Sequence, residues 1–239
     1  MKGLILGAGF GKRLLPYTQE IPKCLLPVGE KTFLEYTLDN FAAAGFSEVV
    51  IVVGHGKEKV IDKIGTRYLG MKITYRFNDT YLTTNTMRSI WNARDALSGG
   101  FVQCHGDLLF HKGVLKKVLA SPVKDAVIVE GNQAHLDEDG NRVRLENGRV
   151  VEINKTMPLK NAAGHAWGMY KFSPESAASY FKHMAAFDLN GNEGFELPFR
   201  KALEEHSFGI IDVEGLPFAE IDTLDDLARA RTVASSIIS

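Results

Sequence analysis

Cysteine is nearly missing: Cys24 and Cys104 are the only two among 239 residues. Widely spaced and flanked by apolar neighbours, they supply neither a disulfide framework nor a zinc site, and both are expected as buried, reduced core residues. An excess of charge is missing as well. Lysine and arginine total 28 against 29 acidic residues, for a net charge of −1, which gives no electrostatic grip on a nucleic-acid backbone or an anionic membrane. No apolar run is long enough to span a bilayer. The run 3–7 after Lys2 is closed by glycines and by Lys12 and Arg13, too short for a secretory signal. A cytoplasmic setting and small-molecule chemistry are expected. Repeats, low-complexity segments and clear linkers are missing too, so one domain over residues 1–239 is expected.

What is present is alternation. Leu4, Ile5 and Leu6 form an apolar run that stops at glycines, and residues 49–53 form a second, β-branched run that stops at Gly54. Both read as strands buried on two faces. Between them Phe33, Leu34, Leu38 and Phe41 recur at helical spacing before Gly45, a plausible helix end. The pattern continues with a helix over 59–69, a strand over 72–77, a helix over 86–97 and a strand over 101–105, which predicts a sheet with helices on both faces. Beyond about residue 124 the alternation loosens. A strand over 126–130 precedes hairpin segments over 136–141 and 145–152, hinged on Asp139-Gly140 and Asn147-Gly148. A strand over 165–172, helices over 176–184 and 196–206, and a closing helix over 223–233 behind an Asp222 cap complete the reading.

The first strand runs into Leu6-Gly7-Ala8-Gly9-Phe10-Gly11-Lys12-Arg13, where missing side chains let backbone N–H groups approach an anion. A plain tight turn is the alternative. The dinucleotide fingerprint would need a third glycine where Lys12 stands and an acidic residue where Gly54-His55 closes the second strand. The Walker loop would need a glycine at Leu6 and a hydroxyl at Arg13. Next comes Ile21-Pro22-Lys23-Cys24-Leu25-Leu26-Pro27, in which two prolines stiffen a segment presenting one lysine from apolar surroundings. Gly-x-Gly-x-Gly-x-Arg followed by Pro-Lys resembles the nucleotidyltransferase family of the GT-A-like fold. Gly7 departs from that family's usual alanine.

The resemblance implies an α/β fold: one Rossmann-like, GT-A-type domain with a mixed, mostly parallel sheet flanked by helices. Residues of about 1–124 would form the nucleotide-binding half, and an elaborated α+β region of about 125–239 the acceptor-binding half. Transfer of a nucleotidyl group needs a cation between carboxylates and phosphates, Mg²⁺ being the standard choice. Asp107, in the turn that follows a buried strand with Gly106, is placed where open α/β sheets bind ligands. Its plainer reading is a turn former. The Glu220-Ile221-Asp222-Thr223 run resembles the family segment bearing the second metal carboxylate, Asp222. Arg13 and Lys23 would act on the triphosphate beside the loop residues Leu6, Ala8, Gly9, Phe10, Gly11 and Lys12. Lys155 matches the family lysine that meets the acceptor's phosphate, although by composition alone it is a surface lysine.

The order Asn78, Tyr81, Asn85, Ser89 is rich in groups that read a base edge, and a polar loop with a helix cap is the bland alternative. It resembles the branch that uses CTP, typified by phosphocholine cytidylyltransferases and their aminoethylphosphonate relatives, and a glycine-rich stretch common in sugar-phosphate uridylyl- and thymidylyltransferases is missing here. Trp167, Tyr170, Phe195 and Glu196 are candidates for a cage around a quaternary ammonium, core packing being the alternative. The expectation is therefore CMP transfer from CTP to a small phosphorylated or phosphonate acceptor, with no nucleic-acid or membrane partner and with a homodimer left open. A sugar 1-phosphate with UTP, GTP or dTTP is the runner-up, and a non-catalytic nucleotide sensor the third reading. His55, His105 and His165 read as structural or supporting groups.

Overall fold

The computed structural model describes residues 1–131, 140–191 and 194–238. Strand β1 (Lys2–Gly7) leads through the glycine loop to short 3-10 turns at Lys12–Leu14 and Lys23–Leu25 and to a ribbon of β2 (Pro27–Val28) and β3 (Lys31–Thr32). Helix α1 (Phe33–Ala43) starts with a capping box: Thr32 Oγ1 accepts from Glu35 N, and the Glu35 carboxylate accepts from Thr32 N. Next come β4 (Glu48–Val53), α2 (Lys57–Ile64), β5 (Arg67–Tyr68), β6 (Met71–Phe77), α3 (Thr86–Ala93), β7 (Phe101–His105), β8 (Leu108–Phe110), α4 (Gly113–Ala120) and β9 (Ala126–Glu130). They are followed by β10 (Arg142–Glu146), β11 (Arg149–Asn154), β12 (Gly164–Phe172), α5 (Pro174–Met184), α6 (Glu196–Glu205), β13 (Gly209–Asp212), β14 (Phe218–Glu220) and α7 (Leu224–Ile238).

Among the described residues one sheet of ten strands runs β11-β10-β12-β7-β1-β4-β6-β5, with β9 joined to β12 and β13 to β9. Its centre, β7-β1-β4-β6, is parallel, and β12 turns the sheet antiparallel against β7. The chain is thus a single α/β domain on a mixed, mostly parallel central sheet. Parallel pairing places the C-terminal ends of β1, β4, β6 and β7 along one edge, which collects the glycine loop, Gly54, Asn78 and Gly106 at one place. Val49 to Val53 are all fully buried, as a strand covered on both faces requires, each contributing about 1.5–3 kcal/mol by leaving water. One face of the sheet packs on Leu34, Leu38 and Phe41 of α1, Val60 of α2 and Val114 of α4. The other packs on α3, α5 and α6 through Met87, Ile90, Tyr180 and Phe199. Both cysteines are buried free thiols, and burial pushes the Cys24 thiol up to about 12.

Several expected boundaries move. The helix expected over 59–69 is α2, which ends at Ile64 because Gly65 takes φ 72°; residues 67 and 68 then pair with β6 as β5. The helix expected over 86–97 tightens after Ala93 into a 3-10 turn. The hairpin at Asn147-Gly148 forms between β10 and β11, with both residues at positive φ. Most of the segment expected over 136–141, Asp139 included, lies outside the described residues. The residue capping α7 is Thr223 and not Asp222: Thr223 Oγ1 accepts from Asp226 N, and Asp226 Oδ2 accepts from Thr223 N and Asp222 N. That leaves the Asp222 carboxylate for the site.

Partial burial pushes the Asp226 carboxyl up, but hydrogen bonds from Thr223, the Arg229 contact and the Asp222 backbone overcome it and hold the group at about 2. An acid whose folded value lies below its free value stabilises above the free value and loses that contribution as pH falls through the folded one. Asp226→Ala is expected to cost about 1 kcal/mol at neutral pH. In urea unfolding the gap to wild type should close as pH falls from 3.8 towards about 2.

Candidate active site

β1 delivers Leu6 and Gly7 into a loop whose path is pinned at Gly11. There φ is 70°, and a Cβ would stand 3.1 Å from Thr18 Cγ2 and 3.2 Å from Lys23 Cβ, so a glycine lets the Pro22-Lys23 segment close onto the loop. Thr18 Oγ1 donates to Gly11 O at 2.8 Å. His55, at the end of β4, places Nε2 2.9 Å from Thr18 O and takes the Phe10 ring edge-on. The loop borders a cleft of about 270 Å³ lined by Leu6, Gly9, Gly11, Lys12, Arg13, Lys23, Gly106, Asp107 and Asp222.

The two aspartates, far apart in sequence, meet because β8 pairs antiparallel with β14. Glu220 lies opposite Leu108, and Ile221 N donates to Asp107 O at 3.1 Å. Lys23 stands between them, with Nζ 2.7 Å from Asp107 Oδ2 and 2.8 Å from Asp222 Oδ1, while Arg13 reaches Asp222 Oδ2 at 2.8 Å. Burial of Lys23 disfavours its charge, but Asp107 and Asp222 outweigh that and hold it above its ordinary value. Burial likewise pushes Asp107 up, and Lys23 overcomes it to hold the carboxyl below its ordinary value. Both groups stay charged at neutral pH. Asp107 Oδ1 is buried and has no hydrogen-bond partner among the described residues.

A second compartment of about 200 Å³ adjoins the first at Leu6, Gly9 and Asp107 and adds Ala8, Asn78, Tyr81, Asn85, Ser89 and His105. The structure thus brings together along one cleft the asparagine motif, both aspartates and the residues singled out in the glycine loop except Phe10, whose ring packs on His55. Asn78 is only 2% exposed, and its amide is engaged within the loop. Nδ2 donates to Ser89 Oγ at 3.0 Å and Thr84 Oγ1 at 3.3 Å, and Oδ1 accepts from Thr80 N at 3.1 Å. Asn78 therefore shapes the loop. Asn85 Oδ1 caps α3 by accepting from Thr86 N.

The acceptor-side residues are less united. Between Ala166 and Tyr170 the register of β12 shifts, with Gly168 at φ 65°. Three residues apart on an extended strand, Trp167 and Tyr170 point to opposite faces of the sheet: Trp167 packs on the α1 and α4 face, its ring centroid 3.6 Å from that of Phe218, while Tyr170 packs on the α5 and α6 face. They do not line one cage. Tyr170 instead forms a corner with Phe195 and His105, whose rings lie edge-on to Phe195 at 5.5 and 5.9 Å. Burial, then the charges of Glu196 and Glu220, push the Tyr170 hydroxyl above its ordinary range, and with Tyr170 1% exposed this corner is core packing that offers no ring face to a ligand. Lys155 follows β11 and faces Glu220 electrostatically.

His105 and Glu220 are the residues that sequence reasoning passed over or set aside. The available signal was their two-residue spacing from Asp107 and Asp222, which puts each on its neighbour's side of an extended chain. A Cβ on Gly168 would stand 2.7 Å from His105 Nδ1, so only glycine lets β12 cradle that ring. Gly168→Ala is expected to lower stability by about 1–2 kcal/mol, through the clash and the positive φ, readable as a lower urea midpoint.

Residues 2–126 match the family model described as nucleotidyl transferase. CMP-5'-(3-aminopropyl)phosphonate synthase of Streptomyces rubellomurinus is 37% identical over 147 residues, covering 59% of this chain and 23% of that protein's length. CTP:phosphoglutamine cytidylyltransferase of Campylobacter jejuni is 24% identical over 253 residues, covering 95% of this chain and 98% of its own. A UTP--glucose-1-phosphate uridylyltransferase of Synechocystis sp. matches as well. Among solved structures, the inositol-1-phosphate CTP transferase from T. maritima superposes with a TM-score of 0.80 at 20% identity, covering 99% of this chain and 95% of its own, a likeness of fold. No described helix is long and apolar enough to cross a membrane. With the family model spanning more than half of its length, this chain belongs to the nucleotidyl transferase family.

Proposed function

We propose that this protein transfers CMP from CTP to a small phosphate or phosphonate acceptor bearing a cationic group, with release of pyrophosphate. The observation that carries the transfer is the meeting of Arg13, Lys23, Asp107 and Asp222 at the mouth of the glycine loop. Loop amides, Lys12 and Arg13 hold the β- and γ-phosphates. An acceptor oxygen attacks the α-phosphorus, the new O–P bond forms as the bond to the β-phosphate oxygen breaks, and Lys23 neutralises the charge that develops. Lys155 orients the acceptor's phosphate.

Asp107 and Asp222 fit Mg²⁺ as a donor set: they are two carboxylates that in this structure already share one ammonium group between them. Bound there, Mg²⁺ would neutralise triphosphate charge and polarise the α-phosphoryl group. A cationic head on the acceptor is favoured by the negative charge of Glu196 and Glu220, whose fields both act on the acceptor half at Tyr170. Cytidylyltransferase relatives support CTP. Because Asn78 is spent on the loop and a uridylyltransferase also matches, transfer from UTP to a sugar 1-phosphate is the second reading.

Pyrophosphate release with Mg²⁺ separates them, crossing CTP, UTP, GTP, ATP and dTTP with phosphocholine, aminoethylphosphonate, polyol and amide phosphates and sugar 1-phosphates. CTP with an amine-bearing acceptor is the expected pair. Turnover of a sugar 1-phosphate with another nucleotide, and of no amine-bearing acceptor, refutes the proposal while leaving the glycine loop and the aspartates their parts.

A further inference from the structure

Three side chains able to ligate a metal lie together at Asp107. A ring nitrogen of His105, one oxygen of Asp107 and one of Glu220 lie within 4.8 Å of one another. Among the described residues His105 Nε2 and Asp107 Oδ1, both buried, have no hydrogen-bond partner, although a buried polar atom normally has one. The imidazole is held in place by the close pass of Gly168 and the edge of Phe195. Asp107 Oδ2 and Asp222 Oδ1 both accept from Lys23 Nζ, so an ammonium group lies between those two carboxylates, and Asp107 Oδ1 takes no part in that contact.

We infer that His105, Asp107 and Glu220 form a binding site for a first-row transition-metal ion, separate from the Asp107 and Asp222 pair and able to fill before nucleotide arrives. One imidazole with two carboxylates favours Zn²⁺ or Co²⁺ over Mg²⁺, which prefers oxygen donors alone. Ligand atoms about 2.1 Å from a tetrahedral ion lie about 3.4 Å apart, so the three groups must draw together from the spacing seen here. Glu220 is exposed and its side chain closes the gap by rotation, while His105 and Asp107 are held by packing. Asp107 would then have one oxygen on each side, serving the phosphate cleft with one and the histidine with the other.

The test needs no nucleotide and no turnover, so its outcome stands apart from the transfer reading. Metal-free wild type, His105→Asn, Glu220→Gln and Asp222→Asn are titrated with Co²⁺ by visible absorption, with Zn²⁺ and Mg²⁺ as competitors and circular dichroism as the check on folding. Wild type should take one Co²⁺ per chain, displaced by Zn²⁺ and far less by Mg²⁺. His105→Asn and Glu220→Gln should each weaken binding by at least about tenfold, and Asp222→Asn should leave it within about threefold. Because Glu220 is exposed, its variant reads the site even if the histidine variant fails to fold. Absence of Co²⁺ binding in wild type, unchanged binding in Glu220→Gln, or loss in Asp222→Asn with retention in His105→Asn would each overturn the assignment.

Discussion

Asp107→Asn is expected to lower the rate of pyrophosphate release by at least about a thousandfold, the scale of losing a preorganised charge at a reacting phosphoryl group. Asparagine keeps the shape and can still accept from Lys23 Nζ, now 2.7 Å from Oδ2. The bond from Ile221 N to the residue 107 carbonyl that fixes the turn against β14 involves backbone alone. What disappears is one negative charge, and with it half of the pair proposed to hold Mg²⁺. Lys23 retains Asp222 as its partner, so the variant should fold, with circular dichroism like that of wild type and a urea midpoint lowered by the loss of the Lys23–Asp107 attraction. Steady-state release of pyrophosphate at saturating substrates checks the rate. A variant that folds and turns over like wild type removes Asp107 from the chemistry and the metal reading with it.

Asp107 was readable in the sequence because a buried strand, Phe101 to His105, ends in a Gly-Asp turn, and open α/β sheets place ligands at such ends. The glycine loop and Lys23 were readable for a similar reason: glycines and prolines fix backbone paths locally, and the partners of Gly11 lie within a dozen residues. Asp222 was another matter. Its approach to Asp107 depends on β8 and β14, two three-residue strands from distant parts of the chain with no periodicity of their own, and only the family resemblance pointed to it. The split of Trp167 from Tyr170, by contrast, was legible, since an odd spacing of three residues in a strand puts two side chains on opposite faces. Asn78 looked like a base reader by residue type. Residue type cannot say that Thr80, Thr84 and Ser89 consume its hydrogen bonds first. Helix and strand identities were mostly legible, and their ends failed where a glycine at positive φ, such as Gly65, stopped a helix whose apolar spacing ran on.

Lys23→Met is expected to separate the two duties of that side chain. The stem is retained in length and apolar character, so the packing of the Pro22-Lys23 segment on the glycine loop survives, but the charge is gone. Catalysis should fall by about a hundred- to a thousandfold, because the ammonium group proposed to neutralise charge developing at the α-phosphoryl group is lost. Stability should fall too, by about 2 kcal/mol, since Lys23 is 11% exposed and its loss leaves Asp107 and Asp222 as unscreened neighbours. The pH dependence identifies that loss as electrostatic. Lys23 lies above its free value of 10.5 when folded, so its contribution is full below that value and is lost as pH rises through the folded one. Asp107 lies below its free value of 3.8, so its contribution is full above that and is lost as pH falls through its folded value. The gap between variant and wild type in urea unfolding should therefore be flat between those limits and close outside them. A gap that persists unchanged into acid would mean that Lys23 is held by packing alone. Added Mg²⁺ should raise the midpoint of Lys23→Met more than that of wild type, since the ion then meets two carboxylates with no ammonium group to displace. Equal shifts in the two proteins would show that Lys23 and the metal do not compete for the same carboxylates.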